Sequence, residues 1–303
     1  MQFLPSEINI RGFGHLGVAL FFFLSGYGLQ EKVRENEAYL KGFLKKRIVK
    51  LYIPYLIATF VYIVIRFLFG VRYTIKEVLM SLVGLYTIVN FSWYIFLQLA
   101  LYLVFWLIYK KCNDNQKRII TLTVCILFII GACAALHLPS YCYVSLLAFP
   151  LGVIISEYQQ SIMKFTRGGM GIFLIVLFTI ICILCFSGMA SSVSTCIFQS
   201  HNGLLKIVER GEMILCDIAF IGIIAIVCSR IELKSKLFTQ LGMISYEVYL
   251  LQGLFIKLFS EVIPLTNSFV FIISVIGCVI LTSILLNKLN CALVHQCLNY
   301  EAY

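Results

Sequence analysis

Charged residues are scarce in this 303-residue chain. They make up 13% of it, about half the share of an ordinary soluble domain, while 61% of the residues are hydrophobic. A globular chain of this length needs a polar surface, and so few charges cannot supply one. The composition therefore excludes a soluble enzyme, a disordered tail and a fibrous protein, and it predicts a membrane protein with several spans.

The alternation of apolar and polar residues that marks a membrane β-barrel is also absent. The apolar runs are instead long enough for helices, since about 20 residues cross the hydrocarbon core. We therefore predict an all-α, polytopic transmembrane helix bundle that forms a single domain over residues 1–303. Nine spans are expected, at residues 13–30, 51–69, 92–109, 119–136, 141–157, 170–188, 212–229, 244–262 and 269–286. The apolar stretch 78–91 is too short to span and is expected to be an interfacial or re-entrant piece beside the third helix.

Several common functional motifs are missing. The chain has no internal repeat, no phosphate-binding glycine loop and no nucleic-acid motif, so a nucleic-acid partner is not expected. Most of the 12 cysteines lie inside predicted spans, where Cys behaves as a small apolar residue. Cys291, His295 and Cys297 lie close together in sequence but lack a fourth ligand, so no metal site is predicted.

The net charge of +10 is unevenly distributed along the chain. With nine spans, 17 of the 24 basic residues fall in the loops of one side of the membrane and five in those of the other. Lys and Arg accumulate in cytoplasmic loops. The count therefore predicts a cytoplasmic C-terminus and an N-terminus outside.

Two stretches near the N-terminus could carry chemistry. Ser25 and Gly26 follow three phenylalanines in the first span, and Lys46, Arg47 and Lys50 precede the second span. Small residues let a helix or a ligand approach the backbone closely, and a basic group attracts lipid headgroups or the phosphates of a nucleotide-bearing donor. From the residues alone, helix packing with a cytoplasmic anchor and a donor site both remain open.

Ionisable residues inside spans are candidate functional residues, because burying them is costly. Glu247 in the eighth span either orients a substrate or pairs with a cytoplasmic Arg or Lys. Asp217 in the seventh span shares a helix face with Arg210, and Arg66 is a candidate partner for it. His15, at the outer end of the first span, is either an interfacial residue or a base on the acceptor side.

The order of the motifs supports a family resemblance. The Phe-Phe-Phe-Leu-Ser-Gly segment at 21–26 is followed by a basic stretch that ends in Ile-Pro-Tyr at 53–55, by Trp93 and Tyr94, and by Ser-Tyr-Glu-Val-Tyr-Leu-Leu at 245–251. From about Gly14 to Leu289 the chain resembles the acyltransferase 3 family, whose members O-acetylate cell-surface polysaccharides and related molecules. The resemblance implies a bacterial plasma membrane, acetyl-CoA or another acyl-CoA as co-substrate with no bound cofactor, and a glycan hydroxyl as acceptor.

The resemblance also implies roles for individual residues. It places the family's pair of arginines on Arg47 and Lys50, so the second position keeps its charge but not its guanidinium group. These two residues and Lys46 would bind the phosphates of the donor. Ser25 and Gly26 would line the path of the donor.

On the acceptor side, three residues are candidates for substrate binding. Trp93 near the outer face could stack on a sugar ring, and Tyr249 and Gln252 follow Glu247 along the eighth span. The family frequently has His where Gln252 stands, so we expect Gln252 to form hydrogen bonds and not to act as a base.

The catalytic residue is the main departure from the family pattern. The family's proposed catalytic His lies on a helix that precedes the Phe-Phe-Phe segment, whereas residues 1–12 correspond to the loop after that helix and contain no signal peptide. We therefore expect one span fewer than the family's ten, with the N-terminal helix missing. His15 and Glu247 remain as weak catalytic candidates. Alternatives to an active acyltransferase are a truncated or inactive family member and a small-solute transporter.

Overall fold

The computed structural model describes residues 14–84, 86–187, 202–231, 235–265 and 267–299. These residues are mostly helical and contain no strand, which confirms the predicted all-α class. The N-terminal loop expected at residues 1–12, from which a missing helix was inferred, lies outside the described ranges.

Eleven α-helices occur in these ranges. In chain order they are α1 (Gly14–Glu35), α2 (Phe43–Leu68), α3 (Ile75–Leu82), α4 (Trp93–Lys111), α5 (Asn115–Ala135), α6 (Ala148–Glu157), α7 (Gln159–Thr166), α8 (Gly169–Ser187), α9 (Asn202–Arg230), α10 (Lys236–Lys257) and α11 (Ser268–Asn299). A π-helical turn, Leu258–Val262, continues α10, and a 3-10 turn, Val144–Leu147, leads into α6.

Eight segments of the described chain are long and apolar enough to cross a membrane. They correspond to eight of the nine predicted spans. The remaining one, α1, forms the expected helix, but His15, Gln30 and Glu31 fall within its first 18 residues and lower its mean hydropathy. The protein is thus a polytopic helical membrane protein, and the crossing of the membrane by α1 stays a prediction.

Several helices extend beyond the apolar runs that predicted them. Helix α2 begins at Phe43, eight residues before the predicted span at 51–69. Lys46, Arg47 and Lys50 therefore lie on the first turns of a helix and not in a linker. Helix α9 likewise begins at Asn202, whereas the predicted span begins at residue 212.

The short stretch expected at the interface, 78–91, overlaps α3, which begins three residues earlier at Ile75. Thr74 caps this helix: its hydroxyl accepts a hydrogen bond from the Glu77 backbone N–H, and the Glu77 carboxylate accepts one from the Thr74 N–H in return. These hydrogen bonds from Thr74 lower the pKa of Glu77. Ile75 and Leu79 on α3 are exposed, as expected for a helix that lies at a membrane surface.

The chain divides into two compact units. Unit 1 comprises residues 1–5, 42–103 and 234–303, and unit 2 comprises residues 6–41 and 104–233. In unit 1, α10 packs against α11 and α2. Two tyrosines connect α10 and α2, because the Tyr62 hydroxyl donates to the Leu250 carbonyl at 3.0 Å and the Tyr246 hydroxyl donates to the Leu51 carbonyl at 2.8 Å. In unit 2, α1 packs mainly against α6, and α8 packs against α9.

Candidate functional site

Gly26 lies at a close approach of two helices in unit 2. A Cβ atom at Gly26 would overlap the carbonyl oxygen of Phe149 on α6, and a Cβ atom at Gly152 on α6 would overlap the carbonyl oxygen of Phe23 on α1. The helices are therefore in contact through their backbones, which is the use of small residues typical of membrane helices. Gly26 therefore has the helix-packing role. A role of Gly26 and of the half-buried Ser25 in a donor path stays a prediction.

His15 and Asp217 form a buried pair in unit 2. His15 Nε2 lies 3.4 Å from Asp217 Oδ1, and the two side chains are 8% and 3% exposed. The structure thus gives Asp217 a different partner from the Arg66 that was considered. The Arg66 guanidinium instead donates to the Tyr73 hydroxyl at 3.0 Å and lies 3.8 Å from the Glu261 carboxylate in unit 1.

Residues from three elements surround His15. The Ser145 hydroxyl donates to the His15 carbonyl at 3.3 Å, and the Phe186 ring on α8 lies 6.4 Å from the imidazole ring. Farther along α9, the guanidinium of Arg210 lies 5.5 Å from the centre of the Tyr143 ring. Arg210 and Asp217 are seven residues apart and so lie two turns apart on one face of α9, as predicted.

A buried polar network in unit 2 was not predicted. Gln30, near the C-terminal end of α1, donates to Glu157 at 2.6 Å and accepts from the Tyr109 hydroxyl at 2.5 Å. Glu157 also accepts from Asn115 at 2.9 Å. The network connects the ends of α1, α4 and α6 with the start of α5. Gln30 lies directly after the apolar run of α1, and this abrupt change to polar residues is the only signal that the sequence offers.

Arg118 is the centre of the same region and is only 4% exposed. Its guanidinium donates to the carbonyls of Cys112 and Tyr109, to Asn115 and to Glu37, at distances between 2.6 and 3.4 Å. It also lies 5.0 Å from the Tyr109 ring. Arg118 was counted only as a cytoplasmic loop charge from the sequence, but it satisfies the last carbonyl groups of α4.

Glu247 is buried in unit 1, and its partners are neutral. Its Oε1 accepts from the side-chain amides of Asn287 at 3.2 Å and Asn290 at 2.8 Å, both on α11. Asn287 also donates to the Met243 carbonyl at 3.0 Å. The prediction that Glu247 pairs with a cytoplasmic Arg or Lys is therefore wrong, because the observed partners are two asparagine amides. The contacts observed are those of a residue that holds α10 to α11.

Tyr249, one of the three acceptor-side candidates, contacts the turn in unit 1 that precedes a second candidate, Trp93. The Tyr249 hydroxyl donates to the Phe91 carbonyl at 3.0 Å, and the Tyr249 ring packs edge-on against Tyr94 at 5.2 Å. Phe91 has a φ of 66°, an uncommon conformation for a residue with a bulky side chain. Tyr249 thus holds the turn that directly precedes Trp93. Trp93 and Gln252 are half-buried.

The basic donor candidates lie at the beginning of α2 in unit 1. The guanidinium of Arg47 is 5.9 Å from the centre of the Phe43 ring and 5.6 Å from that of Tyr102. Arg47 is half-buried, whereas Lys46 and Lys50 are exposed. Aromatic rings on two sides restrict the guanidinium to few orientations, which prepares it for a directional contact.

The donor candidates therefore fall in both units, with Arg47 and its neighbours in unit 1 and Ser25 and Gly26 in unit 2. Within the described ranges, no three His, Cys, Asp or Glu side chains are grouped as metal ligands. In unit 2, an imidazole and a carboxyl group lie 3.4 Å apart at His15 and Asp217.

Comparison with known proteins identifies one family. The sequence model of the acyltransferase 3 family, described as an acyltransferase domain, matches residues 2–288. This match covers nearly the whole chain. No curated protein and no solved structure matches.

Proposed function

Because the chain belongs to the acyltransferase 3 family, we propose that it transfers an acyl group from acyl-CoA to a hydroxyl group of a cell-surface glycan. The family match over residues 2–288 is the observation that carries this proposal. Eight apolar helices support a bilayer as the environment of the reaction. Acetyl-CoA is the proposed donor, bound from the cytoplasm, and the proposed acceptor faces the other side.

The proposed reaction exchanges a thioester for an oxygen ester. The acceptor oxygen attacks the thioester carbonyl carbon, the new C–O bond forms and the C–S bond breaks. The hydroxyl proton passes to a base, and the CoA sulfur finally takes up a proton. Such a reaction needs a base near the hydroxyl group and positive or hydrogen-bonding groups that hold the donor and the developing oxyanion.

Arg47, Lys46 and Lys50 are the proposed contacts for the donor phosphates. All three lie within the first eight residues of α2. Arg47 can form two parallel hydrogen bonds to a phosphate, whereas each lysine acts as a point charge. This difference makes Arg47 the principal contact.

Trp93, Tyr249 and Gln252 are proposed for the acceptor. The Tyr249 hydroxyl is engaged by the Phe91 carbonyl, so the contribution of Tyr249 is to hold the turn before Trp93. The half-buried Trp93 ring would stack on the sugar, and the half-buried Gln252 amide would bind a hydroxyl group.

The proposal is tested with radiolabelled acetyl-CoA and membrane vesicles from cells that express the chain, compared with vesicles that lack it. We expect release of CoA together with label in a product that mild alkali removes, as for an ester. Acetyl-CoA binding without turnover would indicate an inactive family member. Solute flux in proteoliposomes without acetyl-CoA binding would overturn the proposal in favour of a transporter.

Replacing Arg47 should weaken donor binding more than replacing Lys50. We expect Arg47→Met, which keeps an apolar stem against Phe43 and Tyr102, to weaken acetyl-CoA binding about 10- to 100-fold, since a charged hydrogen bond contributes about 1.5–3 kcal/mol. Lys50→Met should weaken it roughly two- to threefold. The dissociation constant of acetyl-CoA, measured on the purified protein, checks both values.

Lys164→Met on α7 is the matched control, because Lys164 is also exposed and is predicted on the same side of the membrane. It should leave acetyl-CoA binding unchanged, and Arg47→Lys should restore only part of the affinity. Equal losses in all three methionine variants would show a nonspecific effect of charge and would contradict a specific role for Arg47.

A further inference from the structure

A groove of about 410 Å³ lies between helices α10 and α11 in unit 1. Leu241 and Ile244 line this α10–α11 groove from one helix, and Ile280 and Ile284 line it from the other. Both helices are long and apolar enough to cross a membrane. Leu241 is 38% exposed and Ile284 is 40% exposed, so the walls are not closed off by the rest of the unit. An exposed apolar groove of this kind accepts hydrocarbon.

One end of the groove is polar. Gln240, Asn287 and Lys288 complete its lining. Gln240 lies in the second turn of α10, and Lys288 lies eight residues beyond Ile280 on α11, a rise of about 12 Å. Both residues are on the side of the membrane that the loop charges predict to be cytoplasmic. The groove therefore changes from apolar to polar towards one membrane surface, as an amphiphilic molecule does.

Lys288 has an isolated position in α11. It is the only Asp, Glu, Lys or Arg in the sequence of this helix, Ser268–Asn299. Its side chain is exposed, and within the described ranges no hydrogen bond or ion pair engages its ammonium group. A lysine in a membrane helix lays its methylene stem along apolar surface and extends its charge towards the headgroups. The ammonium group is thus available to an anion at the polar end of the groove.

The carboxylate of Glu247 does not neutralise this end. Its Oε1 accepts hydrogen bonds from the Asn287 amide at 3.2 Å and from the Asn290 amide at 2.8 Å. Glu247 is only 3% exposed, so its carboxylate is enclosed between the two helices and is not part of the groove lining. The charge at the groove surface is the positive charge of Lys288, which complements an anionic headgroup.

We propose that the α10–α11 groove binds one anionic phospholipid from the leaflet on the predicted cytoplasmic side. The lipid phosphate accepts hydrogen bonds from the Lys288 ammonium group and the Gln240 amide. One hydrocarbon chain lies between Ile244 and Ile284 and extends towards Ile280. This proposal is independent of the proposed acyl transfer, because lipid binding is measured without a donor or an acceptor.

The test titrates the purified chain in detergent with phosphatidylglycerol, and separately with phosphatidylcholine that carries the same hydrocarbon chains. Native mass spectrometry counts the lipids bound to each protein molecule. We expect one phosphatidylglycerol per chain, bound about fivefold more tightly than phosphatidylcholine, since a basic residue near anionic lipid contributes about 1 kcal/mol. Bound phosphatidylglycerol should also raise the midpoint of thermal unfolding. Glycerol 3-phosphate, which has the headgroup phosphate but no hydrocarbon chain, should not bind.

Variants at Lys288 test the headgroup contact. Lys288→Gln should weaken phosphatidylglycerol binding about fivefold, to the level of phosphatidylcholine, whereas Lys288→Arg should retain it. Lys111→Gln is the matched control, because Lys111 is also exposed, ends α4 and is predicted on the same side of the membrane. It should leave phosphatidylglycerol binding unchanged.

A larger side chain in the wall tests the hydrocarbon contact. Ile284→Trp should weaken the binding of both lipids at least about fivefold, the lower end of the cost of overlap in a packed site. Leu285→Trp is the control, because the adjacent Leu285 is 68% exposed and does not line the groove. Met243→Trp fills the groove from α10, where Met243 is 61% exposed, and it replaces Ile284→Trp if that variant unfolds at a lower temperature.

Three results would each overturn the proposal. Equal affinities for the two lipids, or equal losses in Ile284→Trp and Leu285→Trp, would show a general lipid coat and no specific groove site. Equal losses in Lys288→Gln and Lys111→Gln would show an effect of overall charge. Binding of glycerol 3-phosphate as tight as that of phosphatidylglycerol would indicate a site for a free phosphate group and not for a lipid.

Discussion

Gly26→Ala should destabilise the protein by about 3 kcal/mol, at the upper end of the usual cost of overpacking. The added methyl group would overlap the carbonyl oxygen of Phe149, and a backbone oxygen cannot turn aside as a side chain can. Helices α1 and α6 would have to separate, and the two helices would lose much of their shared interface. Thermal unfolding in detergent should show a midpoint lower by roughly 5–10 °C.

The chain provides matched controls for this prediction. Gly152→Ala should have a similar effect from the other helix, because its methyl group would meet the Phe23 carbonyl. The double variant should lose less than the sum of the two, since either change already separates the helices. Gly28→Ala, on the same helix where no described residue lies within 4 Å of an added Cβ atom, should be neutral or stabilising by up to about 1 kcal/mol. Equal midpoints for Gly26→Ala and Gly28→Ala would contradict backbone contact between α1 and α6.

Arg118→Met should destabilise the protein by about 3 kcal/mol as well. The change removes the hydrogen bonds to the part-buried carbonyl of Cys112 and the buried carbonyl of Tyr109. It also removes the contacts of the guanidinium with Asn115 and Glu37. Thermal unfolding checks the prediction, and limited proteolysis should show earlier cleavage in the connection between α4 and α5.

Lys117→Met is the natural control, since the adjacent Lys117 is exposed. It should leave the unfolding midpoint within about 1 °C, because exposed substitutions change stability by less than about 0.5 kcal/mol. Arg118→Lys should recover little stability, because an ammonium group cannot reach carbonyl oxygens in several directions at once. Full recovery by Lys would show that the charge alone matters and would rule out the capping role.

The existence of the helices could be predicted from the sequence, but the residues at which they begin and end were predicted less accurately. Hydropathy located eight membrane-crossing segments because a run of apolar residues acts locally and additively. Helix α2 begins eight residues before its apolar run, since a helix needs backbone hydrogen bonds and not apolar side chains in its first turns. Lys46, Arg47 and Lys50 were recognised as a basic group, but only the structure places Arg47 against Phe43 and Tyr102.

The partners of the buried polar residues could not be predicted from the sequence. Asp217 was recognised as an ionisable residue in a span, yet its partner is His15, about 200 residues away in the chain. Glu247 was expected to meet a cation or a substrate, and it meets two asparagine amides of α11. Such pairs depend on how each helix is rotated about its axis and on which helix lies beside it, and neither follows from a single segment.

By itself, the sequence determined the class of the protein and its family. Its scarce charges, long apolar runs and ordered motifs sufficed for both, because hydropathy and short motifs are properties of adjacent residues. The tertiary structure decided what Gly26, His15 and Arg118 do: Gly26 joins two backbones, His15 meets a buried carboxylate and Arg118 closes a helix end. These roles depend on contacts between distant segments, which form only when the helices pack.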